Sequence, residues 1–342
     1  MLSSRFKYNT KSIFNLNSTQ KRAKKEIEEK VEDGSYLFEN VSCQVCNSLE
    51  NKILSEKDRY GLYYKVQICV NCGLVYTSPR MNQDAYNNFY TLEYRRLYSG
   101  REAPNLDSLE INEARGEKIY SFLKEFLNIE NRKIKVLEIG CSSGGILSYF
   151  KKVGCEILGV DLDSDYIQYG KEKLSLNLME GTLNDVPSNF TPDIIIYSHV
   201  LEHILDLEAE LIQLYKLCTE KTLVYIEVPG IKNIHAAYNS NLLHYLQNAH
   251  TFHFSLTTLK NVMYKNNFSI LKGDEFIKSV FVKAKKAETK KYFQNDFKEV
   301  IFYLENTERN WNRKQYGFPV IKSRTYSFVK NILVKVKHYV IK

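Results

Sequence analysis

Residues 136–145 read Val-Leu-Glu-Ile-Gly-Cys-Ser-Ser-Gly-Gly, and Gly159-Val160-Asp161 follows one strand–helix–strand length later. Val136–Ile139 reads as a short buried strand running into a turn of small residues. The next helix therefore starts with bare backbone N–H groups, and Gly140 and Gly144 admit a ligand where a Cβ would block it. Asp161 lies 21 residues after Gly140, at the end of a second strand over Glu156–Val160. An acidic side chain at that place can take both hydroxyls of a ribose. This pattern constrains the middle of the chain to a parallel βαβ unit with a nucleoside site at its strand ends.

Glu138 and Ser142 decide which nucleoside. A dinucleotide fingerprint would require glycine at 142, and a P-loop would require Lys-Ser or Lys-Thr after the glycines; neither is present. A carboxylate at position 138 is a poor neighbour for pyrophosphate and a good one for positive charge, such as the ammonium and sulfonium of S-adenosylmethionine. The segment resembles motif I of class I S-adenosylmethionine-dependent methyltransferases, with Ser142 in place of the middle glycine. The resemblance implies a cofactor site of Glu138, Gly140, Ser142, Gly144, Asp161 and Leu162.

The net charge of +8 is unevenly spread. Residues 1–25 carry seven Lys/Arg and no acid, and residues 309–342 carry nine and no acid. The middle is thus acidic between two basic arms, which read as solvated tails and argue against a nucleic-acid-reading core. No apolar run of membrane-spanning length occurs, and the first residues have no apolar signal region, so a cytoplasmic location is expected. In the C-terminal arm, Phe328, Val329, Ile332, Val336 and Val340 share a helical stripe among lysines. That stripe suits either peripheral contact with the inner membrane face or docking on a protein surface.

Four of the seven cysteines form two C-x2-C knuckles, Cys43/Cys46 and Cys69/Cys72, separated by 22 residues. Four thiolates at this spacing complete a closed tetrahedral site for a structural zinc ion, and Gly73 permits the tight turn beneath it. Leu62–Ile68 between them reads as a hairpin strand, hence a zinc ribbon. Cys141, Cys155 and Cys218 read as core residues.

An amphipathic helix over 107–128 leads into alternating elements. These are strands at 134–139, 156–160, 176–179, 193–197 and 222–228, with helices over 144–152, 164–173 and 205–217. A helix over about 256–266 precedes strands at 268–272 and 278–284. The fold class is therefore α/β: a doubly wound, seven-stranded, Rossmann-like methyltransferase sheet with an antiparallel end and an N-terminal zinc ribbon. The expected domains are a basic arm (1–40), the ribbon and a tyrosine-rich segment (41–106), the methyltransferase domain (107–285) and a basic extension (286–342).

Thr182 and Leu183, after the third strand, fall where this fold reads adenine. His199, Glu202 and His203 follow the fourth strand at i, i+3 and i+4, so a helical turn would place them on one face. One reading makes His199 or His203 a general base, or a wall for the methionine moiety, which puts His199 in the cofactor site as well. The other follows a resemblance to ubiquinone-type O-methyltransferases, whose Glu-Val-Leu-Glu-His run binds a divalent ion; here His199 replaces the first Glu. A third reading makes Glu202 and His203 capping and hydrogen-bonding residues. A third cluster, His250 and His253, precedes a helix capped by Ser255, and His253 is the expected base or substrate anchor.

Across roughly residues 41–285 the chain resembles bacterial class I methyltransferases with an N-terminal zinc-binding module. The matching pieces are the knuckles, the run from Cys72 to Arg80, the 136–144 and 159–161 motifs, His199–His203, Glu227-Val-Pro229 and His250–Ser255. The resemblance implies methyl transfer to a sugar, nucleotide-sugar or glycan in surface polysaccharide biosynthesis. Alternatives are a quinone-like or other small-molecule O-methyltransferase, and a non-catalytic zinc-containing scaffold or RNA-contacting module.

Overall fold

Residues 1–102, 109–127, 133–285 and 293–316 are described by a computed structural model of the chain. From the N-terminus, helix α1 (Ser18–Glu32) is closed by an Asn17/Gln20 capping box. Strands β1 (Phe38–Glu39), β2 (Asn51–Lys57), β3 (Tyr63–Cys69), β4 (Val75–Thr77) and β5 (Arg80–Met81) follow. Helices α2 (Gln83–Phe89) and α3 (Arg95–Ser99) are joined by one π-helical stretch, Tyr90–Tyr94. Its wide turn lets Tyr90 and Tyr94 stack with ring centroids 4.4 Å apart, and Tyr98 continues the column at 4.5 Å.

Helix α4 (Leu109–Leu123) packs ahead of the large sheet, whose strands are β6 (Lys135–Ile139), β7 (Glu156–Asp161), β8 (Leu178–Glu180), β9 (Ile194–Ser198) and β10 (Leu223–Glu227). Helices α5 (Gly145–Lys152), α6 (Ser164–Leu174) and α7 (Leu207–Leu217) link them, and α8 (Ile234–Ala237) and α9 (Leu242–Tyr245) lie in the long connection after β10. The two-residue strand β11 (Phe252–His253), helix α10 (Leu256–Lys265), strands β12 (Phe268–Gly273) and β13 (Lys278–Lys283), and helix α11 (Phe297–Tyr316) complete the order. The sheet runs β12-β13-β10-β9-β6-β7-β8, parallel from β10 to β8, with β13 antiparallel to both its neighbours. Ile194, Ile195, Ile196 and Tyr197 of β9 are all fully buried. That is why this strand shows an unbroken apolar run: layers cover it on both faces. The expected strands and helices appear within a few residues of their sequence positions.

The ribbon is not a separate body. Its four-stranded antiparallel sheet has the order β11-β4-β3-β2, so a strand from residue 252 pairs with Tyr76 and Val75. The N-terminal arm, expected as a solvated tail, is packed. Phe6 is fully buried, and Arg5 pairs with Glu308 at 2.6 Å and stacks on Trp311 of α11. The amphipathic stripe from Phe328 to Val340 lies outside the described residues. Among those described, no helix is long and apolar enough to cross a membrane.

Candidate active site and metal centre

At the carboxyl ends of β6, β7 and β9 the backbone forms a cradle. Gly140, Ser142 and Gly144 all have positive φ, at 68°, 50° and 79°. Ser142 thus takes the left-handed conformation that a glycine would adopt without strain. The glycines serve packing more directly than ligand approach. A Cβ on Gly140 would sit 2.4 Å from Val200 Cγ2, and one on Gly144 2.6 Å from Leu176 Cδ1.

Asp161 accepts hydrogen bonds from Ser142 N (2.8 Å) on one carboxylate oxygen and from Asp163 N (2.8 Å) on the other. It therefore braces the cradle, and each oxygen keeps a second lone pair for a ribose hydroxyl. Glu138 is buried with Oε2 lacking any hydrogen-bond partner, and burial together with the Asp161 charge pushes its carboxyl well above the usual range. A bare carboxylate beside a sharp backbone cradle fits a cationic nucleoside such as S-adenosylmethionine. Leu162, one residue past the end of β7, is exposed. Leu183 is buried in the core, and the Thr182 hydroxyl caps the next turn, donating to Asp185 at 2.9 Å while accepting from Asn184 N.

His199, Glu202 and His203 do not share a regular helical turn. His199 stands in the left-handed region at φ 59°, and only Leu201–His203 form a short 3-10 turn. The three groups still converge: Glu202 Oε1 lies 3.5 Å from His199 Nδ1 and 3.8 Å from His203 Nε2. Glu202 is 1% exposed, and neither of its oxygens has a hydrogen-bond partner.

His203 Nδ1 contacts the Ala249 carbonyl at 2.9 Å and Tyr90 Oη at 2.6 Å. A carbonyl only accepts, so Nδ1 carries the proton and Nε2 turns its lone pair toward Glu202. Burial lowers the His203 pKa, keeping the ring neutral. His250 packs edge-on against it at 4.7 Å, and one ligand atom each from Glu202, His203 and His250 lie within 4.8 Å of one another. Tyr94 stands edge-on to His203 with ring centroids 6.5 Å apart, and burial and then the Glu202 charge push its hydroxyl up to about 12, with Asp161 adding a smaller effect.

His253 stands one ring beyond His250, with centroids 6.1 Å apart. It belongs to β11 in the ribbon sheet, is 1% exposed, and places Nε2 3.0 Å from Tyr64 Oη. Tyr64 donates its own proton to the His250 carbonyl, so His253 must donate to Tyr64. Burial pushes the His253 pKa down to about 3. The structure gives His253 a packing and hydrogen-bonding position in the ribbon sheet, against Tyr64, Tyr245 and His250.

The four knuckle cysteines converge, with Cys43 Sγ–Cys72 Sγ and Cys46 Sγ–Cys69 Sγ both 3.4 Å and all four sulfurs within 4.8 Å of one another. A tetrahedral metal bound at about 2.3 Å requires sulfurs about 3.8 Å apart, within that range. The knuckles are built alike. Asn47 N donates to Cys43 O and Gly73 N to Cys69 O, and both residues take positive φ. Asn47 supplies in the first knuckle the turn that glycine supplies in the second.

Residues 111–272 match the methyltransferase-domain family. This part of the chain is a methyltransferase domain. An uncharacterised methyltransferase of Oceanobacillus iheyensis is 26% identical over 108 residues, covering 30% of this chain. The match spans 51% of that relative, about half its length. Among solved structures, the plantazolicin methyltransferase BpumL in complex with SAH and a monoazolic analog is similar at 17% identity and a TM-score of 0.45. That likeness covers 66% of this chain and 88% of BpumL. The magnesium protoporphyrin IX methyltransferase of Synechocystis, also with bound SAH, is similar at 15% identity and a TM-score of 0.41, over 58% and 96% of the two chains. The methyltransferase domain holds the cradle, Glu138, Asp161 and the Glu202 cluster, whereas the cysteine site lies outside it.

Proposed function

We propose that the protein transfers the methyl group of S-adenosylmethionine to a hydroxyl of a sugar, nucleotide-sugar or glycan, in surface polysaccharide biosynthesis. The observation that carries this reading is the paired acidic arrangement: Glu138 bare within the cradle, and Glu202 bare behind His199 a few residues past β9. The methyl donor, when bound, supplies an electrophilic methyl group, and Glu138, the Ser142 turn and Asp161 would hold it. His199 is the general base in this reading, its side chain 36% exposed, and Glu202 stabilises the imidazolium that forms when the acceptor hydroxyl gives up its proton. Tyr90, Tyr94 and Tyr98 supply a polar aromatic wall suited to a hydroxylated ring. We propose further that Cys43, Cys46, Cys69 and Cys72 hold a structural zinc ion and that the protein works in the cytoplasm.

Calorimetric titration with S-adenosylmethionine and a methyl-transfer assay over a panel of sugars test the reading. Micromolar binding and label incorporation into a sugar are expected. No binding at millimolar donor refutes it, and transfer only to quinone-like phenols replaces the acceptor class.

A further inference from the structure

Beyond Tyr94 the tyrosine column ends on a cation. Arg59 lies in the β2–β3 turn, its guanidinium 5.0 Å from the Tyr60 ring, 5.1 Å from Tyr98 and 5.9 Å from Phe14. Its backbone is pinned from both sides: its N–H donates to Leu246 O, and its carbonyl accepts from Ile13 N. One terminal nitrogen donates to Tyr60 Oη at 3.1 Å, while Nε is buried with no acceptor. Neighbouring Asp58 favours its charge without forming an ion pair with it. The Asp58 carboxylate is fully buried and accepts from the backbone N–H groups of Tyr60, Leu62 and Asn248. Among the described residues, no acidic group forms an ion pair with Arg59.

A second bare donor stands beside it. Tyr98 Oη accepts from Ala249 N and so spends its proton on Asn248 Oδ1 at 3.0 Å. That fixes the Asn248 amide, whose Nδ2 is buried without an acceptor. Arg59 Nε and Asn248 Nδ2 therefore flank the Tyr98 end of the column. The Tyr94 end meets His203 edge-on at 6.5 Å, and beyond that ring lies Glu202, 3.8 Å from His203 Nε2 and with neither oxygen hydrogen-bonded. The column has a polarity: unsatisfied donors and positive charge at one end, a carboxylate at the other.

We infer that the acceptor carries an anionic group, a phosphate or a carboxylate, which docks on Arg59 and Asn248 while its reacting hydroxyl lies toward His199 and Glu202. This inference rests on the methyl-transfer reading above. A guanidinium held among aromatic rings suits such a group, because its donors are fixed in a fork and it is desolvated more readily than an ammonium. A neutral sugar would leave both donors unpaired.

The test is calorimetric titration of the full chain, with and without S-adenosylhomocysteine, using glucose 1-phosphate, glucuronic acid and methyl α-glucoside. At least one anionic sugar is expected to bind tenfold or more tightly than the neutral glycoside, an advantage that shrinks with added salt. Whichever anion shows the advantage identifies the group. Arg59→Gln should abolish the advantage and Arg59→Lys should keep part of it. Asn248→Asp retains the acceptor for Tyr98, pairs Arg59 internally and should abolish the advantage in a chain that melts like the parent. Equal affinity for charged and neutral sugars, no binding of any of the three, or an advantage that survives in both Arg59→Gln and Asn248→Asp overturns the inference. Failure of S-adenosylhomocysteine to bind instead refutes the methyl-transfer reading on which it rests.

Discussion

Glu138→Gln should make the ligand-free protein more stable and the methyl-donor complex weaker. Glu138 is 3% exposed and one of its oxygens has no donor, so folding strips a carboxylate of water without replacing it. Its folded pKa lies above the unfolded value, raised first by burial and then by the Asp161 charge. The sign follows from linkage. As pH rises past the unfolded carboxyl value of about 4.3, the unfolded chain loses this proton while the folded chain keeps it. Stability therefore falls with rising pH until the folded group ionises too. The amide removes that loss, and sparing an unsatisfied buried charge is worth about 1–3 kcal/mol at pH 8, or a few degrees in Tm. Against a cationic ligand the sign reverses. Losing a charge-assisted contact costs about 1.5–3 kcal/mol, a roughly 10- to 150-fold weaker Kd. Thermal melts at pH 8 with and without S-adenosylmethionine, together with calorimetry, measure both effects. A variant that melts no higher than the parent and binds the donor equally well would refute the assignment of Glu138 as the cation-facing carboxylate.

Glu202→Gln and His199→Asn should each lower kcat by about 10²–10⁴-fold with donor affinity unchanged, read by steady-state kinetics beside calorimetry. Cys72→Ser, or chelator treatment, should release one zinc per chain by elemental analysis and lower Tm; a metal-free parent of equal Tm would count against the site. The buried histidine pocket should sensitise the fold to acid. His253 is held neutral down to about 3, so from the unfolded value of about 6.5 downward only the unfolded chain takes up this proton. Stability should fall by up to about 1.4 kcal/mol per pH unit for this one group. His253→Asn should weaken that dependence while leaving the pH–rate profile in place.

The fold was legible where its cause is local. The isoleucines of β9 and the Gly140–Gly145 turn signal themselves through apolar runs and small residues, so strands, helices and sheet class follow from the sequence. The cysteine knuckles were equally plain, because four ligands at fixed spacing leave few alternatives. What escaped depends on partners far along the chain. Strand β11 is two residues long, and nothing near Phe252 announces its pairing with Tyr76. That pairing sets His253 in the ribbon sheet, one ring beyond His250. Likewise the basic composition of residues 1–25 concealed Phe6 and Arg5, whose contacts reach Glu308 near the far end of the chain. His199, Glu202 and His203 were found by spacing, but not the left-handed backbone at His199 that brings them together. The Arg59 cluster had no sequence signal: its members come from the N-terminal arm, the β2–β3 turn, α3 and the connection after β10.

The strand shared between the ribbon and the residue-250 connection makes any division of this chain at residue 106 costly. A fragment ending there would present β4 as a raw edge, its backbone groups open to pairing with another copy. The complementary fragment would lose the template that aligns Thr251 and His253. Ribbon grafts between relatives should therefore carry residues 249–255 along with residues 41–81, because the two segments constitute one exchangeable part.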